Sequence, residues 1–159
     1  GMTPPSGMAT YHVILHYVPK PHPAFKSYTG IWKPEHGLVR ISGSSDRFTD
    51  DSTASSARRL YDQTKRQLTK LYGNPENDEL VSGELWSSDK DFCSSLGNGE
   101  RTHASTWERG SHAIGDVLQK ILLMVMSDDG YEASSVSLVY YLPGHEDEIT
   151  GDEYGLDSL

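Results

Sequence analysis

The sequence has one cysteine, Cys93, in 159 residues, and it has no long apolar run. A single cysteine excludes an intrachain disulfide and leaves no cysteine pair at the spacing of a zinc site. Such cysteine usage is typical of a reducing compartment, so we expect a cytoplasmic protein. No stretch reaches the roughly 18 continuous apolar residues that a membrane helix needs. Prolines between Pro4 and Pro23 interrupt any signal-peptide core. We therefore expect a soluble protein with no membrane partner.

Motifs for nucleotide binding and for serine nucleophiles are also missing. No serine stands in a G-x-S-x-G sequence, there is no Walker A sequence, and residues 97–99 lack the third glycine of a dinucleotide-binding loop. His12 and His16 would lie about 13 Å apart on the strand predicted there, too far to share one metal ion. We therefore expect no cofactor and no local metal site. A site assembled from distant histidines stays open, with His36, His103 and His112 as its candidates.

Positive charge is scarce, because 14 Lys and Arg stand against 23 Asp and Glu, for a net charge of −9. Five basic residues and one aspartate fall within residues 52–72, so this segment carries +4 and the rest of the chain −13. A general nucleic-acid-binding protein needs a cationic surface, so we expect no nucleic-acid partner. We call the five basic residues the basic stripe: Arg58, Arg59, Lys65, Arg66 and Lys70.

Residues 52–75 are predicted to contain a long amphipathic helix around which the fold is organised. Its apolar or small residues recur at the three-and-four spacing of one helix face, and the basic stripe falls on the other side. Side-chain oxygens in residues 50–53 are available to cap the first turn, and Gly73 before Asn74-Pro75 is typical of a helix end. An isolated helix of this length is marginal in water, so another element must cover its apolar face.

Alternating apolar and polar residues predict strands on both sides of the helix. In residues 19–34, prolines and Gly30 predict an irregular connection. Residues 92–96 are expected to pair with residues 101–107 through the hairpin signal Asn98-Gly99. The predicted strands lie at residues 11–18, 38–42, 80–86, 101–108, 121–126 and 131–142.

The stretch 112–126 fits both a helix and a buried strand, because periodicity does not distinguish them over a short apolar run. The turn signal Asp129-Gly130 favours a strand on each side of it. The resulting pattern predicts an α+β fold, with a largely antiparallel sheet of about five to six strands and one long amphipathic helix packed on one face. The other face of such a sheet can stay in contact with water.

The chain is predicted to be one domain, residues 11–145, between two unlike ends. Residues 1–10 are interpreted as an irregular leader in which Gly1 is a remnant of tag cleavage. Residues 146–159 contain six carboxylates and no Lys or Arg, and we call this segment the acidic tail. Segments of this composition are usually disordered. The carboxylates of the acidic tail belong to Glu146, Asp147, Glu148, Asp152, Glu153 and Asp157.

The charge distribution favours a small acidic interaction protein without catalytic activity, such as an inhibitor or immunity-type partner of a basic enzyme. Its partner would be another protein or a second copy of this chain. The basic stripe is either a solvated helix face or a docking surface for an acidic partner or for the acidic tail. The residues assigned to partner binding are Arg58, Arg59, Arg66, Glu146, Asp147 and Glu148.

A second hypothesis is a small-molecule binding module or pocket enzyme that uses the open face of the sheet. Aromatic side chains would form its wall, although such side chains more often belong to the core under a helix. The residues assigned to this ligand site are Trp86, Arg101, His103 and Trp107. A third hypothesis joins Cys93 to His103 and a nearby carboxylate, Asp91 or Glu108, as a nucleophilic site, and it rests on proximity in the sequence.

Overall fold

The computed structural model describes residues 10–16, 22–49, 52–81, 92–97, 99, 101–108, 118–127 and 133–144. Within these residues seven strands form one sheet, in which all neighbours are antiparallel. The strands are β1 (Tyr11–Ile14), β2 (Phe25–Lys33), β3 (Gly37–Ser45), β4 (Asn77–Val81), β5 (Arg101–Glu108), β6 (Lys120–Ser127) and β7 (Ser134–Tyr141). The helices are α1 (Ser55–Tyr72) and α2 (Phe92–Gly97).

The strand order β1-β2-β3-β7-β6-β5-β4 consists of two meanders that meet at β3 and β7. β1 to β3 form one half of the sheet, and α1 then carries the chain to the far edge, where β4 begins. β4 to β7 return strand by strand until β7 pairs with β3, with Arg40 opposite Tyr141. The predicted α+β fold, a single domain with an antiparallel sheet and a helix packed against it, is confirmed. The sheet has seven strands where five to six were expected.

Helix α1 begins at Ser55, two positions after residues 50–53, whose side chains were expected to cap it. Ala54 precedes it in the left-handed region, with φ 54°, and its carbonyl accepts a hydrogen bond from the Arg58 N–H at 2.8 Å. The prediction that a side-chain oxygen caps the first turn is wrong for the described residues Ser52 and Thr53, because the N-cap position belongs to Ala54 and makes no side-chain cap bond. Gly73 ends the helix as predicted, with φ 84° and its N–H donating to the Thr69 carbonyl at 2.9 Å.

The main core lies between α1, α2 and one face of the sheet. Four α1 residues at the three-and-four spacing are buried there: Ala57, Tyr61, Thr64 and Leu68. They cover the central strands, whose residues Trp107, Ile121 and Val136 are fully buried. Burial of large apolar side chains is the main source of stability in a domain of this size.

The opposite face of the central strands is buried as well. Leu122 and Val139 point away from α1 and have no exposed surface, and Met124 and Tyr141 are nearly as buried. The expectation that this face stays in contact with water is therefore wrong for β6 and β7. The continuous apolar run at 121–125 is typical of a strand buried on both faces.

Strand β2 occupies much of the stretch predicted to be irregular, and that prediction is wrong for residues 25–33. The pairing with β3 shifts register between Phe25 and Ser27 and again between Ile31 and Trp32. Phe25 and Tyr28 consequently contact the same position, Gly43, although they are three residues apart. Such bulges break the period-two pattern by which a strand is recognised in a sequence.

Helix α2 occupies the residues predicted to form a hairpin strand at 92–96, and that prediction is also wrong. Phe92 and Cys93 are buried in the main core, and Leu96 packs against it one turn later. Gly99 has φ 75°, and its N–H donates to the Leu96 carbonyl at 3.1 Å. The glycine of the predicted hairpin turn therefore follows the end of a short helix.

Several predictions concern residues outside the described ranges. These are the leader up to residue 9, residues 17–18, residues 82–86 of the strand predicted at 80–86, residues 112–117 and the acidic tail. Residues 120–127 form strand β6, as the turn signal at 129–130 favoured. Among the described residues, no helix is both long enough and apolar enough to cross a membrane.

Candidate functional site: a basic cleft on helix α1

A cleft of about 580 Å³ lies on the outer flank of the C-terminal half of α1. Five of its lining residues come from α1, at the three-and-four spacing of one helix flank, and two come from the turn that leads to β4. We call it the basic cleft. Its described lining residues are Asp62, Lys65, Arg66, Thr69, Lys70, Asn74 and Pro75.

The orientation of α1 places these residues on its flank. Tyr61 and Leu68 are held in the core, and the Tyr61 hydroxyl forms a hydrogen bond with the Ser105 hydroxyl on β5. Asp62 and Thr69 each follow one of these two residues directly. Since successive residues lie about 100° apart around a helix axis, both are turned away from the sheet. The same packing that buries one face of α1 therefore fixes the flank that lines the cleft.

The turn at the end of the cleft is anchored to β5. The Trp107 indole N–H donates to the Gly73 carbonyl at 2.8 Å. The Glu76 N–H donates to the Thr106 carbonyl at 2.8 Å, and the Glu76 carboxylate accepts a hydrogen bond from the Glu108 N–H. These bonds lie on both sides of Asn74 and Pro75, so this wall of the cleft is held in place by the sheet.

The described lining residues carry positive charge, with three cations and one carboxylate. Arg66 and Lys70 are exposed, and neither makes an ion pair within the part of the chain that the structure describes. Lys70 lies in the last turn of α1, where the helix dipole favours a cation. Thr69 and Asn74 add side-chain hydrogen-bond donors. The described lining can therefore attract negatively charged groups and donate hydrogen bonds to them.

Aromatic residues hold the C-terminal half of α1 to the sheet on the side away from the cleft. Burial of Tyr140 on β7, together with its phenol neighbours Tyr72 and Tyr28, raises the pKa of Tyr140 to about 12. This phenol therefore stays neutral at ordinary pH. On the same side, His22 Nε2 and Gln67 Oε1 are 2.7 Å apart.

The residues predicted to form a small-molecule site do not line an open face within the described structure. Trp107 and His103 share one face of β5, and this face is turned towards the helices. Trp107 is 0% exposed, and the His103 ring lies edge-on between Tyr61 and Phe92, with ring centroids 4.5 and 5.2 Å away. Arg101 is the first residue of β5, its side chain is not among those described, and Trp86 lies outside the described residues.

The residues assigned to partner binding have different positions. Arg66 lines the basic cleft, and Arg59 is exposed on another side of α1. The Arg58 guanidinium lies over the Phe92 ring at 4.5 Å and so helps to connect α1 with α2. Glu146, Asp147 and Glu148 lie outside the described residues. Of the described residues in this set, Arg66 alone lines the cleft.

Of the residues proposed for nucleophilic chemistry, Cys93 lies in α2, and the His103 ring lies beside Phe92 and Tyr61 of the two helices. Glu108 is exposed at the end of β5, and Asp91 lies outside the described residues. Cys93 is fully buried, and its N–H donates to the Ser52 carbonyl at 3.0 Å. The described residues contain no group of three or more His, Cys, Asp or Glu side chains that could hold a metal ion. The buried thiol is part of the core.

Several cleft residues were not assigned to any site from the sequence. Lys65 and Lys70 belong to the basic stripe, but nothing in the stripe alone separates them from Arg58 or Arg59. The additional signal is the Asn74-Pro75 turn one helical turn beyond Lys70, because it supplies the second wall. A basic residue at the end of a helix next to such a turn would have been the pattern to look for.

Comparisons of this chain with protein-family models, with curated proteins and with solved structures find no match.

Proposed function

We propose that this protein is a binding protein whose basic cleft receives a short acidic segment of a partner protein. The observation that carries the proposal is the lining itself, in which Lys65, Arg66 and Lys70 line one side of an open volume of about 580 Å³. That volume is within the range of about 300 to 1,000 Å³ that is typical of ligand sites. Among the described lining residues Asp62 is the one carboxylate, and Arg66 and Lys70 are exposed.

The spacing along α1 suits an extended acidic peptide. Arg66 and Lys70 are four residues apart and are therefore separated by about 6 Å along the helix axis. Carboxylates at alternate positions of an extended chain are separated by about 6.7 Å. A strand-like segment with acids at every second position would place one carboxylate near each cation. Asp62 would repel further acids at one end, and this repulsion would set the register of the bound segment.

The overall charge adds a requirement on the partner. Because the whole chain carries −9, long-range electrostatics favour a partner of positive net charge that presents a local acidic segment. The partner is another protein or a second copy of this chain.

We place this interaction in the cytoplasm, because the only cysteine of the chain is a buried free thiol.

The test measures binding of a labelled peptide of five Glu-Ala repeats to the full chain by fluorescence anisotropy. The variant Arg66→Glu with Lys70→Glu should weaken binding about tenfold or more, since two exposed charge pairs are lost and two repulsions are added. Its control is Lys26→Glu with Arg59→Glu, which makes the same charge change at two exposed residues outside the cleft. This control should retain binding within about threefold.

Equal losses in the cleft variant and in the control would overturn the proposal, because they would show that only net charge matters. Displacement of the peptide by inorganic phosphate, beyond its displacement by chloride at the same ionic strength, would also contradict it. That result would assign the cleft to phosphate groups.

A further inference from the structure

We infer that the acidic tail of this chain, residues 146–159, binds in the basic cleft of the same molecule and competes there with the partner. This inference rests on the proposed function, since it concerns the occupancy of the same site. Three observations carry it: the charges of the two segments, the point at which the chain leaves the sheet, and the length of chain available.

The charges of the tail and the cleft are complementary. The tail carries six carboxylates without any Lys or Arg, and the cleft lining carries three cations and one carboxylate. The tail therefore carries the charge that the cleft is proposed to bind.

The chain leaves the sheet at the end where the cleft lies. Tyr141, at the end of β7, belongs to a row of paired residues that runs across the sheet through Lys120 to Glu108. The Glu108 N–H is in turn bound by Glu76, next to the turn that forms the wall of the cleft. Beyond β7, the Gly144 carbonyl accepts a hydrogen bond from the Lys33 ammonium at 2.9 Å, which fixes the point of departure on the β2 side.

The length of the tail is sufficient for this path. From β2, where Gly144 is held, to β5 the sheet crosses four strand spacings, or about 19 Å. An extended chain advances about 3.3 Å per residue, so this path takes about six residues beyond Gly144. Asp152, Glu153 and Asp157 therefore fall within reach of the cleft, whereas Glu146 and Glu148 do not. A tethered segment of this kind acts at a millimolar effective concentration, which makes even a weak contact effective against a free partner.

The first experiment measures the contact without any partner. A nitroxide spin label on the variant Asp152→Cys of the full chain should broaden the amide signals of Arg66, Thr69, Lys70 and Asn74. Cys93 is fully buried in the folded protein and is protected from the labelling reagent. The broadening should disappear when Arg66→Glu and Lys70→Glu are added, and it should persist with Lys26→Glu and Arg59→Glu. A labelled chain mixed with an unlabelled isotope-enriched chain should show no broadening.

The second experiment measures the competition. A tail-amide variant, in which the six tail carboxylates are replaced by Gln or Asn, should bind the Glu-Ala peptide about tenfold more tightly than the wild-type chain. Absence of broadening at the cleft, together with equal affinity of the two chains, would overturn the inference and leave the proposed function intact. Broadening only in the mixed sample would also overturn it, because the tail would then occupy a second copy. Failure of both chains to bind the peptide would overturn the proposed function, and the spin-label result would then decide the tail contact by itself.

Discussion

At the scale of single residues, the position of the cleft wall depends on hydrogen bonds between side chains of the sheet and the turn after α1. Trp107 is the clearest case, because its ring lies in the core while its N–H donates to the Gly73 carbonyl at the end of α1. A buried tryptophan has two roles, since its ring contributes apolar area to the core and its N–H holds a nearby carbonyl in place. One side chain thereby connects β5 with the wall of the cleft.

The replacement Trp107→Phe should lower the free energy of unfolding by about 2 to 4 kcal/mol. The Gly73 carbonyl loses its donor, and the smaller ring leaves a cavity in the core. The control is Trp32→Phe at a tryptophan that is 39% exposed, where a loss below about 1 kcal/mol is expected. Urea unfolding of both variants measures the difference. Equal losses at the two positions would contradict the role assigned to Trp107.

Only part of this arrangement of residues can be predicted from the sequence. It correctly predicts a strand at residues 101–108, because alternation along β5 is regular. It does not say which face of the sheet α1 covers, and two residues assigned to the open ligand site, His103 and Trp107, pack under the helices. The separation of Arg66 and Lys70 from Arg58 and Arg59 likewise depends on the turn after α1, which is a tertiary feature.

At the scale of secondary-structure elements, α1 is held by a narrow set of residues. Leu68 is 4% exposed and packs in the main core, whereas Leu71, one turn later, is 67% exposed. The two leucines have the same helix propensity and lie near the same end of α1. They therefore separate the contribution of packing from that of helix formation.

The replacement Leu68→Ala should lower the free energy of unfolding by about 2 to 5 kcal/mol, as for other leucines removed from a core. Leu71→Ala should change it by no more than about 0.5 kcal/mol. Thermal and urea unfolding of the two variants make the comparison. A loss at Leu71 as large as the loss at Leu68 would show that α1 does not pack in the orientation that forms the cleft.

The elements that sequence analysis missed, β2 and α2, lack a clear apolar period in the sequence. The bulges of β2 place Phe25 and Tyr28 on the same side of the sheet despite their odd spacing, so the period-two pattern is lost. In α2, six residues are too few for a helical period to be distinguished from a strand, and Gly99 suits a helix end as well as a hairpin. Long or regular elements such as α1 and β7 were found because their apolar periods are uninterrupted.

At the scale of the whole molecule, charge is unevenly distributed along the chain. The basic stripe lies on the only long helix among the described residues, and the remainder of the chain carries −13. An acidic protein with one local basic cleft attracts partners through its net charge and orients an acidic segment through the cleft. In this account, the fold forms the cleft by holding one flank of α1 beside the Asn74-Pro75 turn.

The measurement that tests this account most directly is an NMR titration of the full isotope-labelled chain with the unlabelled Glu-Ala peptide. We expect saturable shifts that are largest for the amides of Lys65, Arg66, Thr69, Lys70 and Asn74, and that decrease as salt screens the exposed charges. The amides of β1, at the opposite edge of the sheet, should stay unchanged. Saturable shifts centred away from α1, or no saturable shift in either the wild-type chain or the tail-amide variant, would contradict it.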